Sequence, residues 1–529
     1  MLVIDRLLDI AGSDPARELV FDELDGRQSY AQIAEKVEYL IGGLRLLDVG
    51  CGDVVIVQLP NWSAFLVVHL ALSAIGAVTA TIPVVYRSRE LAQVLRNTGA
   101  KALVVPTRYR DHDYVGMAET LKDEIDTLRL IVAVSGDDAR ADSKTTVSYH
   151  GLLAQRRSVG WSRLKPGIDD LTALGFTSGT TGNLKAAMYS SRILAATNAG
   201  LRDRYRLNED DRVFACSPLG HAVGFTHALR MTLTTGGRMT MLDKWDSDRA
   251  LEMIEAQRCT YMACATPFLN DMVYHPSLSR HGGLSSLRLF LCGGATIPRQ
   301  LMQDARVRLP HTFTSPLWGM TECGGVTTCP LDAPEEKLFT TDGCPCEGME
   351  LKVTGRDGSP LESGDEGELM VRGPMVTMGY FRQQELTEQV YQADGFFRTG
   401  DLARLDVDGY VRITGRIKDL IIRGGVNIAP ADVEDVLFKH PRVSSAAVVG
   451  APDQRLGERI WAYVVLSHGD ALSVGELRHW MKSSGVSRQK WPERVEIVDQ
   501  LPMTTSGKVQ KFILRDMAAK AMAMEAKSV

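Results

Sequence analysis

Leu171-Thr-Ala-Leu-Gly-Phe-Thr177-Ser178-Gly179-Thr180-Thr181-Gly182-Asn-Leu-Lys185 is the stretch that decides the fold. Its first six residues are an apolar run with strand character, and small hydroxyl residues and glycines follow. A loop of that composition after a strand presents backbone N–H groups and hydroxyls to phosphate oxygens, and the lysine beyond it adds charge. It is not the common P-loop, which needs four residues between its glycines and then Gly-Lys-Ser/Thr. Here Gly179 and Gly182 are three apart, and Lys185 does not follow a glycine.

Outward from this loop the chain alternates between strand and helix signals. Upstream, residues 28–49 have helical spacing, 54–59 read as a strand, 62–75 as a helix, 77–83 as a strand, 89–98 as a helix and 102–105 as a strand. Downstream the same alternation predicts helices near 191–204 and 247–257, and strands at 212–216, 238–242, 260–264 and 288–292. Alternation of this kind predicts an α/β fold with helices covering both faces of the sheets. From about 343 to 415 short alternating runs lie between Gly- and Asp-rich turns, predicting an antiparallel, β-barrel-like region. After Arg416 helices and strands resume, so a large N-terminal domain over 1–416 and a small α+β domain over 417–529 are expected. The tail from Asp516 reads as a solvated terminal helix.

Composition narrows the function classes. The 529 residues are 44% hydrophobic and 24% charged, with a formal net charge of −5. That balance gives no electrostatic reason to expect nucleic acid or an anionic membrane as partner. Nine cysteines without paired spacings suggest reduced thiols in a cytoplasmic protein. The N-terminus lacks a basic leader with an apolar core, and the apolar stretch 64–85 is broken by His69, Gly76 and Pro83. A buried helix running into a buried strand is therefore expected there, and no stable membrane insertion.

The loop resembles the phosphate-binding signature of the adenylate-forming superfamily of acyl- and aryl-CoA ligases, luciferases and peptide-synthetase adenylation domains. Further signatures follow in that family's order: Pro218-Leu-Gly-His221, Gly293-Gly294-Ala295, Trp318-Gly319-Met-Thr321-Glu322, Gly367-Glu-Leu-Met-Val-Arg-Gly373, Arg398-Thr-Gly-Asp401, Gly415-Arg416-Ile-Lys418-Asp419 and Pro502-Met-Thr-Thr-Ser-Gly-Lys508. The resemblance implies ATP, Mg²⁺ and CoA as cofactors and co-substrates. It implies that Thr177, Ser178, Gly179, Thr180, Thr181, Gly182 and Lys185 hold the β- and γ-phosphates and that Thr321 touches the α-phosphate. Glu322, with Thr177, would hold Mg²⁺, a hard cation suited to oxygen ligands. Asp401 would take the ribose hydroxyls, with Arg416 a further ribose or phosphate contact. Lys508 would be the adenylation catalyst, and His221 would gate the acyl pocket and orient the carboxylate. Lys418 would be the hinge, and Gly424 and Gly425 would let backbone pass the pantetheine arm of CoA.

The sequence departs from the family pattern at Leu184, Ala186, Trp318 and Val426, which the phosphate ligands survive. Ala222 stands where amino-acid-activating relatives place an aspartate, so an unneutralised ammonium would be costly and an α-amino acid is excluded as substrate. Gly293, Gly294, Ala295, Trp318 and Gly319 are expected to bind the nucleotide and, with Phe225, to line the acyl pocket, Trp318 as a flat adenine or acyl wall, for an aryl, alicyclic or medium-sized acyl acid. The expected activity is an AMP-forming ligase that makes acyl-AMP and then transfers the acyl group to CoA. Two alternatives stay open: a stand-alone adenylating enzyme loading a separate carrier protein, and a catalytically idle nucleotide-binding regulatory protein. A homodimer is compatible with either.

Overall fold

The computed structural model describes residues 2–135, 146–158, 160, 166–178, 184–453, 455–467, 472–504 and 507–527. Two large sheets dominate the first 350 residues. The seven-stranded sheet runs 184–190, 171–178, 78–81, 54–57, 102–106, 130–134, 146–148, parallel except at its first pair. Val54–Val57 and Leu130–Val134 are buried along their whole length, as parallel strands covered on both faces must be. The nine-stranded sheet runs 344–345, 324–328, 313–320, 289–293, 261–264, 212–215, 238–241, 18–22, 26–29.

Helix Ser63–Ile75 packs on strands of both sheets and is buried at every residue. That accounts for the apolar stretch at 64–85, and no helix among the described residues is long and apolar enough to cross a membrane. A four-stranded antiparallel sheet of 350–354, 367–372, 397–405 and 411–416 shares the same hydrophobic cluster.

Beyond Arg416 the clusters are separate. A five-stranded sheet of 426–428, 421–423, 457–466, 443–453 and 494–497 carries one cluster on each face, built only from residues between 421 and 522. The tail departs from the sequence expectation. The last helix, Lys511–Lys527, begins five residues before Asp516 and buries Leu514 and Ala518 against that sheet. Tyr463 donates to the Leu514 carbonyl at 3.1 Å, and Arg515 pairs with Asp419 at 2.6 Å, so the helix is tied to the segment after Lys418. Apolar side chains at 514, 518, 521 and 522 form the stripe that seats the helix.

Candidate active site

The phosphate-loop candidate is the tip of an antiparallel hairpin. Thr177 pairs with Lys185, and Ser178 with Leu184, across strands Leu171–Ser178 and Leu184–Ser190. Gly179, Thr180, Thr181 and Gly182 lie outside the described residues. The hairpin register places Thr177 and Lys185 at the same end, so one hydroxyl and one ammonium flank the loop.

Glu322 meets this hairpin. Its carboxylate is buried and accepts from Thr177 Oγ1 at 3.2 Å and from Tyr380 OH at 2.8 Å, both through Oε1. Residues 378–381 run beside Leu184–Ser190, with Met188 N donating to Gly379 O at 3.0 Å and Phe381 N to Ala186 O at 2.8 Å. That pairing delivers the Tyr380 phenol to Glu322, and Lys185 Nζ lies 5.2 Å from the Tyr380 ring centroid. Tyr189 OH donates to the Thr321 carbonyl and fixes that turn from below. No motif marked Tyr189 or Tyr380 in the sequence, because their contacts with 321 and 322 are long-range and set by strand pairing. Thr177 and Glu322 supply only oxygen donors, the type Mg²⁺ requires. Among the described residues no group of three acidic, His or Cys side chains could hold a metal. A magnesium here would therefore draw its remaining ligands from nucleotide phosphates and water.

Asp401 and Arg416 are cross-strand partners in the antiparallel sheet, so two separate sequence motifs face each other by register. Arg416 Nε stands 2.8 Å from Asp401 Oδ1 in an ion pair without hydrogen-bond alignment, leaving that oxygen's lone pairs unused. Asp401 Oδ2 accepts from Trp318 Nε1 at 2.9 Å. The indole therefore does more than offer a flat wall. Its N–H positions the buried carboxylate, a role the sequence reading of Trp318 missed.

Lys508 arrives from the C-terminal sheet's side of the molecule. Thr504 and Lys508 clasp the turn, with Thr504 N donating to Lys508 O at 2.8 Å and Lys508 N to Thr504 Oγ1 at 3.0 Å. Gly507 (φ +77°) presses on the N-terminal lobe: a Cβ there would stand 3.1 Å from Pro267 and 3.2 Å from Ala265. At Gly294 (φ +82°) a Cβ would lie 3.7 Å from Lys508 Cε, so the Gly293-Gly294 strand end is the surface along which the lysine stem passes. Burial pushes the Lys508 ammonium below the usual lysine value, and Arg416 and then Lys418 add to this, opposed by Glu322 and Asp401. Three cations and two carboxylates thus converge on one cleft.

His221 borders the same cleft. Its ring is held far below the usual histidine value, at about 3, first by burial and then by Lys508. Val223 N donates to Nδ1 at 3.4 Å, which puts the imidazole proton on Nε2. The ring is neutral at every pH above about 3. A π-helix, Val223–Arg230, starts two residues later, an irregularity common at functional sites. Phe225, expected in the pocket lining, is buried edge-on against His69, with centroids 4.7 Å apart. Gly424 and Gly425 are not brought to this cleft: Gly424 N bonds Leu456 O at 2.7 Å, and the flanking Ile422 and Val426 are exposed.

A pH prediction follows from these shifts. Below its folded pKa Lys508 is protonated, so its charge is lost as pH rises through a value lower than that of a free lysine. His221 is already neutral and contributes no acid limb near the ordinary histidine value of about 6.5. Pyrophosphate-release profiles of the wild type and His221→Phe should therefore have the same shape. An acid limb near that value, abolished by His221→Phe, would assign His221 a titrating role.

A family model described as AMP-binding enzyme matches residues 9–381, and one described as AMP-binding enzyme C-terminal domain matches residues 432–508. Medium-chain fatty-acid–CoA ligase of Escherichia coli (strain K12) is 36% identical over 502 residues, 95% of this chain and 88% of that protein. Feruloyl-CoA synthase of an Amycolatopsis species is 33% identical over 92% of this chain and 93% of its own. Among solved structures, ATP-bound MatB from Rhodopseudomonas palustris superposes with a TM-score of 0.87 at 29% identity, covering 98% of this chain and 99% of that one.

Proposed function

The chain belongs to the AMP-binding enzyme family, and from that premise we propose that it is an ATP-dependent acid–CoA ligase working through an acyl-adenylate. The observation that carries this is the convergence of Lys508, Arg416, Asp401, Glu322 and His221 on one cleft, from both sides of residue 416. Relatives named as CoA ligases over nearly their whole length support CoA as the thiol.

In the first half-reaction a carboxylate oxygen attacks the α-phosphorus of ATP, the bond to the β-phosphate oxygen breaks and pyrophosphate leaves. Both partners are anionic, so the protein must neutralise and align rather than supply a nucleophile. Thr177, Lys185 and the loop between them hold the β- and γ-phosphates. Glu322 and Thr177 would hold Mg²⁺, which would supply charge neutralisation on phosphate oxygens. Asp401 binds the ribose hydroxyls, braced by Trp318 and Arg416, and Thr321 faces the α-phosphate. Lys508 reaches the α-phosphate and the attacking carboxylate oxygen, and neutral His221 donates through Nε2–H at the mouth of the acyl pocket. In the second half-reaction the CoA sulfur attacks the acyl carbon, AMP leaves and the thiol proton passes to solvent.

The two half-reactions are divided between two placements of the C-terminal domain (417–529), pivoting at Lys418. The separate hydrophobic clusters on either side of residues 411–421 support such a division. In the second placement Gly424 and Gly425 line the pantetheine path. The acid is an aryl, alicyclic or medium-sized acyl acid, and Ala222 argues against an α-amino acid.

A panel of carboxylic acids tested for pyrophosphate release, with and without CoA, decides the matter. CoA thioester formation with at least one acid is expected. Pyrophosphate release without a CoA product would replace CoA by a carrier protein, and silence across the panel would favour a regulatory nucleotide binder. Within the same assay, Trp318→Phe removes the N–H that orients Asp401 and should cost about 1 kcal/mol, a rise in the KM for ATP of roughly fivefold. An unchanged KM would leave Trp318 as a flat wall only.

A further inference from the structure

The π-helix that starts beside His221 ends in a buried charge. Arg230 is 1% exposed. Its Nη1 donates to His69 Nε2 at 3.2 Å, which requires His69 to donate through Nδ1 to Thr79 Oγ1 at 3.0 Å. Burial holds His69 well below the usual histidine value, with Arg230 adding to it, so the ring is neutral and cancels no charge. Arg230 Nε has no hydrogen-bond partner, and among the described residues no carboxylate pairs with this guanidinium. A buried, uncompensated charge costs several kcal/mol and persists only where something repays it.

Two further buried polar atoms, on this helix and on one packed against it, are unpartnered. His227, three residues before Arg230 on the same helix, is buried with Nδ1 unpartnered, and its ring packs against Gly325. Asn198, on helix Ser191–Tyr205, which packs on the π-helix, is fully buried with Oδ1 unpartnered. Its neighbour Thr197 packs against Gly324. His227 thus borders the Gly324-Gly325 pair, whereas Asn198 Oδ1 is an acceptor without a donor. Buried polar groups in folded proteins are nearly always hydrogen-bonded, so Arg230 Nε, a donor without an acceptor, points to a missing oxygen partner. Nine residues separate His221 from Arg230, at most roughly 13 Å along the helix axis at about 1.5 Å per residue.

We propose that Arg230 forms a polar far end of the acyl pocket, which selects acids carrying an oxygen acceptor at the end remote from the reacting carboxylate. Carbonyl and carboxylate oxygens share that chemistry, and Arg230 donates to either through Nε and Nη2. This rests on the ligase function proposed above and names its substrate class. Arg230 acts here as a specificity residue: it leaves the carboxylate attack on ATP to Lys508 and governs which acids stay bound.

The test measures kcat and KM for CoA-thioester formation in the full-length enzyme with three acids at each length from six to twelve carbons. One acid is unsubstituted, one carries a ketone on the penultimate carbon and one a second carboxylate at the far end. The wild type should favour an oxygen-bearing acid over the plain acid of equal length about tenfold or more in kcat/KM, because a plain acid leaves the buried donors unpaired. Arg230→Met, which keeps the volume and removes the donors, should bring that ratio towards one, chiefly through the KM of the oxygen-bearing acids. Arg230→Lys should restore the second-carboxylate arm more than the ketone arm if the ligand is anionic, and neither arm preferentially if it is a ketone.

A wild type that prefers the plain acid at every length overturns the proposal whether or not the variants fold. So does a ratio that survives Arg230→Met, or an equal loss for all acids, which is what a purely structural role would produce. Thioester formation with no acid at all sinks the ligase function itself, a different result from a preference for plain acids.

Discussion

Lys508→Ala should slow pyrophosphate release about 10²–10³-fold, the loss expected when a preorganised charge is removed from a transition state. Lys508 sits with Arg416 and Lys418 around the cleft, opposed by only Glu322 and Asp401. That excess of positive charge has no structural use without phosphate to receive it. The same variant, given chemically prepared acyl-adenylate and CoA, should form thioester at close to the wild-type rate, because the lysine belongs to the first half-reaction alone. Single-turnover measurement of each half-reaction checks both statements. A comparable loss in both would show that Lys508 holds the turn at 504–508 together rather than stabilising the reacting phosphate. Lys508→Arg keeps a charge but spreads it over a planar fork, and should recover only part of the rate.

Lys418→Pro should act in the opposite sense. Residues Ile417–Asp419 form one short turn between two lobes with separate hydrophobic clusters. Proline fixes its own φ and biases the preceding residue away from helical backbone, removing the freedom a hinge needs. Adenylation should persist if the variant is held in the placement seen here, where Gly507 docks against Pro267 and Lys508 passes Gly294. Thioester formation should fall by about 10²-fold, since a misplaced reacting group costs that much. Equal losses in the two half-reactions would remove Lys418 from the pivot.

Much of this site was legible before any coordinates, for a physical reason. Phosphate and ribose contacts are made by short loops at strand ends, where glycine, serine, threonine and a single acid are nearly the only residues that fit. Thr177–Lys185 therefore stands out as local composition, whereas Glu322, Asp401 and Lys508 are marked only by the motifs that resemble the adenylate-forming family. The strand and helix order was legible as well, because periodicity is also local. Val54–Val57 and Ser63–Ile75 could be placed from apolar spacing to within a few residues.

What stayed hidden was pairing. Tyr380 donates to Glu322 across 58 residues, and Trp318 to Asp401 across 83, yet neither tyrosine nor tryptophan carries a local mark of its partner. The contact of Phe225 with His69 was hidden in the same way, because helix geometry and not sequence spacing brings the two rings together. The terminal helix looked solvated because its sheet-facing stripe of Leu514, Ala518, Ala521 and Met522 is interleaved with polar and charged residues.

By itself, then, the sequence determined the family and the order of elements, since each is encoded within a dozen neighbouring positions. Only the tertiary structure decided how the loops at the strand ends complete one another. It set Asp401 opposite Arg416 by strand register and brought Lys508 to Gly294 by docking a separate lobe. It also buried Arg230 against a neutral histidine at the far end of the π-helix. Such contacts depend on sheet register and lobe placement, which are properties of the whole packed chain and of no single segment.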